Sequence, residues 1–322
     1  MLIPHPFYTF FATTFRKTLR ASGLGIIIIS VFGTNLSADT ADLIIFSKDR
    51  PLQLQALLES ITLHVTGLEH VAVLYATSAP QFSAAYETLA AQFPNVRWVQ
   101  QDPINKRADF APLLRNIFEN LPAPYLMFAV DDMIVTNKID LSECIEALKR
   151  THAYGCYLRL GKDTDYCYAY NQPMRIPMLT YAGSQFYTWD LRTGDKCWGY
   201  PHTVDMTLYP RELVRHAIMT FGHTSPNVFE AWWSGKQVSS GTKGLCYATS
   251  RVINIPLNLV QQDYTQNRCT RRYRIEDLLN LFLQGWRINV EAFYKFKHNS
   301  PHVDTDIPLT KTITDQKEIS PC

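Results

Sequence analysis

The stretch Tyr125–Thr136, YLMFAVDDMIVT, constrains the fold of this chain more than any other. Six apolar residues run without a break and then meet two adjacent carboxylates, Asp131 and Asp132. A short continuous apolar run reads as a strand buried on both faces, as in a parallel sheet covered by helices. Open sheets of that kind bind ligands just beyond the carboxyl ends of their strands. Asp131 and Asp132 fall at that rim, where paired carboxylates can hold a hard divalent cation and, through it, a diphosphate. The same residues also suit a solvated turn. Successive residues of a strand face opposite ways, so only one of the two is expected to ligate directly unless the strand has already turned.

The residues before this strand alternate between two periods. Leu43–Phe46 (LIIF), Val71–Tyr75 (VAVLY) and Val96–Val99 (VRWV) are short apolar runs. Pro51 opens a helix with Asp49 or Arg50 at its cap and Leu54, Leu57, Leu58 and Ile61 on one face. A second helix lies near Phe82–Phe93, closed by Pro94, and Phe110, Leu113, Leu114, Ile117, Phe118 and Leu121 stripe a third. Strand and helix in alternation predict an α/β fold, a mostly parallel sheet flanked by helices and joined by right-handed crossovers. Further on, Asp140–Arg150 reads as a helix, Cys156–Leu160 and Val252–Pro256 as strands, and Ile275 to Trp286 as an amphipathic helix. Residues 161–203, dense in Tyr and Trp, suit an irregular acceptor-side half: a sugar-stacking surface or the core of a small subdomain.

Composition excludes more than it identifies. The 322 residues carry a formal charge of +2, so no global field points to nucleic acid or acidic membranes. Arg268, Arg271, Arg272 and Arg274 form the one basic knot, read first as a solvated face and otherwise as a phosphate contact. Seven cysteines without CxxC spacing favour neither a zinc site nor a disulfide framework. A reducing, cytoplasmic compartment is the simpler inference. Arg16, Lys17 and Arg20 precede the apolar stretch Leu24–Phe32, which leaves a weak signal, an anchor with some membrane association, an extra loosely packed strand or helix, a disordered segment, or an unused upstream start open for residues 1–41. The domain is expected over 42–308, split into 42–140 and 141–308, with a polar tail at 309–322.

The series over 42–140 resembles the nucleotide-binding half of GT-A glycosyltransferases (Rossmann-like), particularly the family 2-like group. Val130-Asp131-Asp132 matches the xDD form of the DxD-type motif, and Arg115-Asn116 matches the Arg-Asn pair on the preceding helix. The resemblance implies a nucleotide-diphosphate-sugar donor. The first loop, with Ser47, Asp49 and Arg50, and the second strand end, with Thr77, then approach the nucleotide, together with Arg115. Asp131 meets the ribose or a metal-bound water, and Asp132 ligates Mn²⁺ or Mg²⁺. It also implies that a C-terminal histidine, here His302, returns to the metal, and that Asp205 faces the donor sugar. Of the charged residues near this site, Lys106 and Arg107 are expected to be solvated surface rather than pocket.

Glu230, in PNVFEAWWS, is flanked by Phe229, Trp232 and Trp233, a setting that desolvates a carboxyl and raises its pKa. Such a group can take the proton of an attacking acceptor hydroxyl, the general base an inverting transferase needs. The family places its acid at this position in an ED-type motif; here the adjacent Asp is missing. Glu230 also fits a helix-start glutamate favoured by the dipole. The acceptor, whether glycan, lipid or protein, is not named by the sequence. A nucleotidyltransferase on the same sheet would want a Gly-rich loop after the first strand, and Phe46–Leu52 has no glycine. A catalytically silent carbohydrate-binding or scaffold protein is the remaining alternative.

Overall fold

The computed structural model describes residues 39–220, 222–261, 263, 268–269 and 273–311. The N-terminal apolar stretch, Arg271 and Arg272, and the tail beyond 311 lie outside the described residues. The main sheet contains β1 (Ala41–Lys48), β2 (Leu68–Ala76), β3 (Val96–Gln100), β4 (Tyr125–Val130), β5 (Cys156–Tyr157), β6 (Thr180–Tyr181), β7 (Phe186–Asp190), β8 (Thr207–Pro210) and β9 (Lys243–Tyr247). Their spatial order is β6-β7-β9-β5-β8-β4-β1-β2-β3.

The first half of the sheet is parallel throughout: β4, β1, β2 and β3 lie side by side in one direction. Register then gathers the strand ends. Phe46 lies opposite Val130, and Lys48 opposite Ala76. The residues that follow, Asp49-Arg50, Thr77 and Asp131-Asp132, therefore meet on one rim. Beyond β4 the sheet changes character, because β8 enters antiparallel between β4 and β5.

Alternation along the buried strands divides the core in two. Leu43, Ile45, Met127 and Ala129 share one cluster with helices α1 (Pro51–His64), α2 (Pro80–Gln92), α4 (Leu141–Thr151) and α7 (Ile275–Leu283). Ile44, Phe46, Leu126 and Phe128 share the other with α3 (Lys106–Glu119), α5 (Arg211–Thr220) and α6 (Pro226–Ser234). Asp140 caps α4 by accepting from the Ser142 and Glu143 amides. Phe128 sits at the centre of the second cluster. Its ring stacks on Phe46 at 5.7 Å and meets Phe229 edge-on at 5.5 Å. Phe229 and Trp233 thus seat the helix that carries Glu230.

Two expected elements are shorter than their patterns implied. Only Cys156–Tyr157 of the run 156–160 pairs in the sheet, because the Leu160 amide turns back to the Tyr157 carbonyl. Helix α7 stops at Leu283, and Gly285 takes φ +77°, a left-handed conformation that ends helices. Trp286 therefore begins a strand, Trp286–Ile288, paired with Leu309–Lys311. Among the aromatics of 161–203, Trp189 and Trp198 are subdomain core, with rings 4.8 Å apart. Among the described residues, no helix is long and apolar enough to cross a membrane.

Replacing Phe128 by Ala should cost about 3–5 kcal/mol, the usual range for emptying a filled aromatic site. The urea midpoint should fall with an unchanged denaturant slope; an unchanged midpoint would mean that α6 is not seated by this ring.

Candidate active site

A cavity of about 560 Å³ opens past the carboxyl ends of β1 and β4. Of the residues picked out by sequence, Ser47, Arg50, Asp131, Asp132, Asp205, Glu230 and His302 all line it. Asp49, Thr77 and Arg115 do not line it. The Asp49 backbone is left-handed, at φ 54°, and its carboxylate accepts from the Ser78 amide, tying the first loop to the end of β2. Thr77 is buried and shares its hydroxyl with Ser83 and Gln100. Arg115 donates to the Ile218 carbonyl, joining α3 to α5. Each of the three has a protein partner for its polar group.

At the rim one guanidinium bridges both carboxylates. Arg50 Nη1 lies 2.9 Å from Asp131 Oδ1 and 3.0 Å from Asp132 Oδ2. Its Nε donates to Asn258 Oδ1 at 2.7 Å, and its Nη2 to the Asn258 carbonyl. Burial opposes the charge on Arg50, yet Asp131 and Asp132 together hold its pKa above the ordinary value. Asp131 Oδ2 also accepts from the Ser47 hydroxyl at 2.8 Å and the Lys48 amide at 3.0 Å. Asp132 Oδ1 accepts from Asn254 Nδ2 at 2.8 Å. Burial, with Asp131 beside it, pushes the Asp132 carboxyl up to about 6, although Arg50 pulls the other way.

Asn254 links this rim to His302. The chain turns directly after Asp132, and Met133–Val135 pairs with Val252–Asn254. Asn254 in turn bridges backbone to backbone with His302. Burial lowers the His302 pKa to about 4, so its imidazole is neutral, the form that ligates metals. Among the described residues, the one group of three metal-capable side chains with ligand atoms within 4.8 Å is Asp42, Glu69 and His70. It lies at the opposite, amino end of β1, where the Asp42 carboxylate is held by His70 and the Ala123 amide.

The far side of the cavity carries a second acid cluster. Glu230 Oε1 accepts from the Val204 amide at 2.9 Å. Burial, reinforced by the neighbouring Asp205, raises its carboxyl to about 7. Glu230 lies in the second turn of α6, past the first-turn position where a helix dipole would hold it ionised. Asp205 is paired instead, its Oδ2 lying 2.6 Å from Arg159 Nη1.

Sequence reading missed several lining residues. Arg159 is buried within the apolar run CYLRL, and a charge in such a run needs a buried partner, which is Asp205. Asn254 and Asn258 sit in apolar stretches for the same reason. Lys106 and Arg107, expected on the surface, both border the cavity, whereas Arg115 does not. Arg107 remains 61% exposed and pairs with Asp263 at 2.8 Å. Tyr168, Tyr170 and Tyr200 also line the cavity.

No family model matches the chain. A curated relative, the bifunctional glycosyltransferase pgtA of Dictyostelium discoideum, is 26% identical over 296 residues, covering 80% of this chain and 37% of the relative. The resemblance is to a glycosyltransferase. The chain spans little more than a third of that relative's length. Among solved structures, S. aureus TarS (residues 1–349) aligns at 11% identity and TM-score 0.44, covering 66% of this chain and 59% of that one. GalNAc-T7 with UDP, GalNAc and Mn²⁺ aligns at 9% identity and TM-score 0.41, covering 68% and 44%.

Arg50→Ala should destabilise the fold by about 3–5 kcal/mol, because it strips two buried carboxylates of their shared partner. Thermal unfolding at neutral pH measures this. A loss within 0.5 kcal/mol, the ordinary range for a surface change, would contradict the bridging role.

Proposed function

We propose that this cavity binds a nucleotide-diphosphate sugar and transfers the sugar, with inversion, to an acceptor hydroxyl. One observation carries the reading: a doubly acidic strand-end rim and a carboxyl raised to about 7 face the same cavity. Asp131 has three of its roughly four acceptor positions taken by Ser47, Lys48 and Arg50, which leaves one for a ribose hydroxyl. Lys48, Lys106 and Arg107 supply positive charge along the wall for the phosphates.

The residues fit a divalent cation. One guanidinium against two carboxylates leaves the rim net negative, and the raised Asp132 carboxyl is a group that gains from a further cation. Asp132 and the neutral His302 would hold Mn²⁺ or Mg²⁺, with donor oxygens and water as the remaining ligands. Such an ion supplies neutralisation of the charge on the departing diphosphate.

Glu230 takes the proton of the attacking acceptor oxygen. Its elevated pKa suits that task, because a base works best when its pKa lies near the working pH. The neighbouring Asp205 is less suited, since Arg159 already holds its carboxylate. Of the tyrosines bordering the cavity, Tyr170 is 68% exposed and offers its ring to the apolar C–H face of a sugar, while the buried Tyr168 ring is covered by Arg268.

Titration calorimetry with UDP and GDP, with and without Mn²⁺, tests the donor site. Asp132→Asn should abolish Mn²⁺-dependent nucleotide binding while retaining the parent's far-UV dichroism. Parent protein that binds neither nucleotide with any metal would sink the enzyme reading. Binding without donor turnover would favour the silent scaffold, and release of pyrophosphate from a nucleoside triphosphate would favour a nucleotidyltransferase.

The base has its own signature. Glu230 must be ionised to act and its folded pKa is about 7, so turnover should fall as pH drops below that value and level off above it. Glu230→Gln should reduce turnover by about two to four orders of magnitude and erase that acid limb. Donor affinity should stay within a few-fold of the parent. A variant that keeps the parent's turnover removes Glu230 from the mechanism.

A further inference from the structure

Two thiols meet in the wall of the cavity. Cys167 Sγ lies 3.8 Å from Cys197 Sγ, and both residues line the cavity. Cys167 ends the short strand Tyr166–Cys167, which pairs with Gln172–Pro173. Cys197 sits in the single 3-10 turn Lys196–Gly199. The two are 30 residues apart in the chain, so their approach is made by the fold and not by local sequence. A disulfide needs about 2.05 Å between sulfurs. The gap to close is under 2 Å, between a hairpin and a one-turn helix that both lie outside the main sheet.

The pair is also electronically uneven. The two sulfurs share one S–H···S contact in which either can donate, and with Cys197 as donor it is the largest influence lowering the Cys167 pKa to about 6. Burial opposes it, while the Tyr170 and Ala169 amides and the Lys196 ammonium add to it. Cys197 is pushed the other way, chiefly because its proton is engaged by Cys167 and because it is buried. A shared proton between two sulfurs favours one of them as thiolate and leaves the other as the resolving thiol, the division of roles found in oxidant-sensitive cysteines.

We propose that Cys167 and Cys197 form an oxidant-responsive modification site that closes to a disulfide in the cavity wall when the protein meets a hydroperoxide. The Cys167 thiolate attacks the peroxide: an S–O bond forms, the O–O bond breaks, and hydroxide leaves. Cys197 sulfur then attacks the Cys167 sulfenic acid. The S–S bond forms, the S–O bond breaks, and the oxygen departs as water with the Cys197 proton. Two thiols lose two electrons and one peroxide gains them, so the step balances without a further reductant. The bond ties the 166–173 hairpin to the 195–200 turn beside Tyr168 and Tyr200. This sulfur chemistry stands independently of the glycosyl-transfer reading.

The other cysteines supply an internal reference. Cys167 is itself only 2% exposed and Cys197 half-buried, but both border the cavity, whereas Cys144, Cys156 and Cys246 are fully buried away from it, with burial pushing the Cys156 and Cys246 thiols upward. They should resist a reagent that reaches Cys167 through the cavity.

The test uses the full chain, reduced, desalted and treated with hydrogen peroxide in small excess. It is then alkylated under denaturing conditions and digested without reductant for mass spectrometry. The expected result is one cross-linked peptide pair joining Cys167 to Cys197, two hydrogen masses lighter than the free peptides together. Two alkylation sites should be lost, and dithiothreitol should restore them. Cys144, Cys156 and Cys246 should be alkylated as fully as before oxidation. In Cys197→Ser the reaction should stop at Cys167 sulfenic acid, trapped by dimedone. Full alkylation of both cysteines after peroxide, or a cross-link from Cys167 to a different cysteine, would overturn the proposal. Nucleotide binding measured on the same sample reports separately on the donor site, so the two readings fail independently.

Discussion

The guanidinium of Arg50, buried between Asp131 and Asp132, is the contact on which the rim depends. It joins three separate segments: the loop after β1, the turn after β4, and the strand-following stretch at Asn258. Burying such charges carries a desolvation cost that their mutual attraction only offsets when every donor is used. Arg50 comes within one donor of that condition, with four of its five N–H groups engaged, two by Asn258 and two by the carboxylates. Its contribution is therefore geometric more than energetic: it fixes where the carboxylates point. Both line the cavity: Asp131 is held by Ser47 and the Lys48 amide as well as Arg50, and Asp132 by Asn254 and Arg50.

The far side repeats the principle with a different outcome. Arg159 compensates Asp205, and it is itself held charged by that neighbour against the pull of burial. Glu230 receives no such partner. Its support is the Val204 amide and the Thr203 hydroxyl, two neutral donors against a buried setting and a nearby carboxylate, so its carboxyl is raised to about 7. Rigid aromatic packing holds it there: Phe229 and Trp233, on either side of it in α6, are fixed against Phe128. The same β4 strand thus carries the acidic rim at its end and seats the opposing acid through its middle.

The parallel half was legible because its strands are buried on both faces and its helices show a single apolar stripe. Leu43–Phe46 and Tyr125–Val130 leave no other plausible arrangement, and register alone then brings Arg50 to the two aspartates. What could not be read was which polar atoms were already engaged. Asp49 and Thr77 stand at the correct strand ends, yet their side chains close the scaffold; Arg115 sits on the expected helix but faces α5. Residue type and position do not reveal a hydrogen-bond partner distant in sequence. Arg159 and Asn258 did carry a signal, as polar residues inside apolar runs. Gly285 likewise marked the end of α7 before Trp286. The 3.8 Å meeting of Cys167 and Cys197 left no trace in spacing at all.

The two halves differ in what holds them, and this bears on what each can specify. The parallel half is positioned by continuous strands whose ends are set by backbone register, which suits a site whose geometry must stay constant. The other half joins the five-residue β7–β9 pair to two-residue strands and one-turn 3-10 helices, and aromatic side chains knit these together, Trp198 donating to the Thr164 carbonyl and Trp189 to the Trp198 carbonyl. The hairpin and turn that border the cavity there depend on side-chain contacts more than on long ladders, so substitutions in them alter its shape with little effect on the parallel strands. The same construction lets a bond between two side chains, such as Cys167 and Cys197, reshape the wall on one side and leave the Arg50 rim on the other untouched.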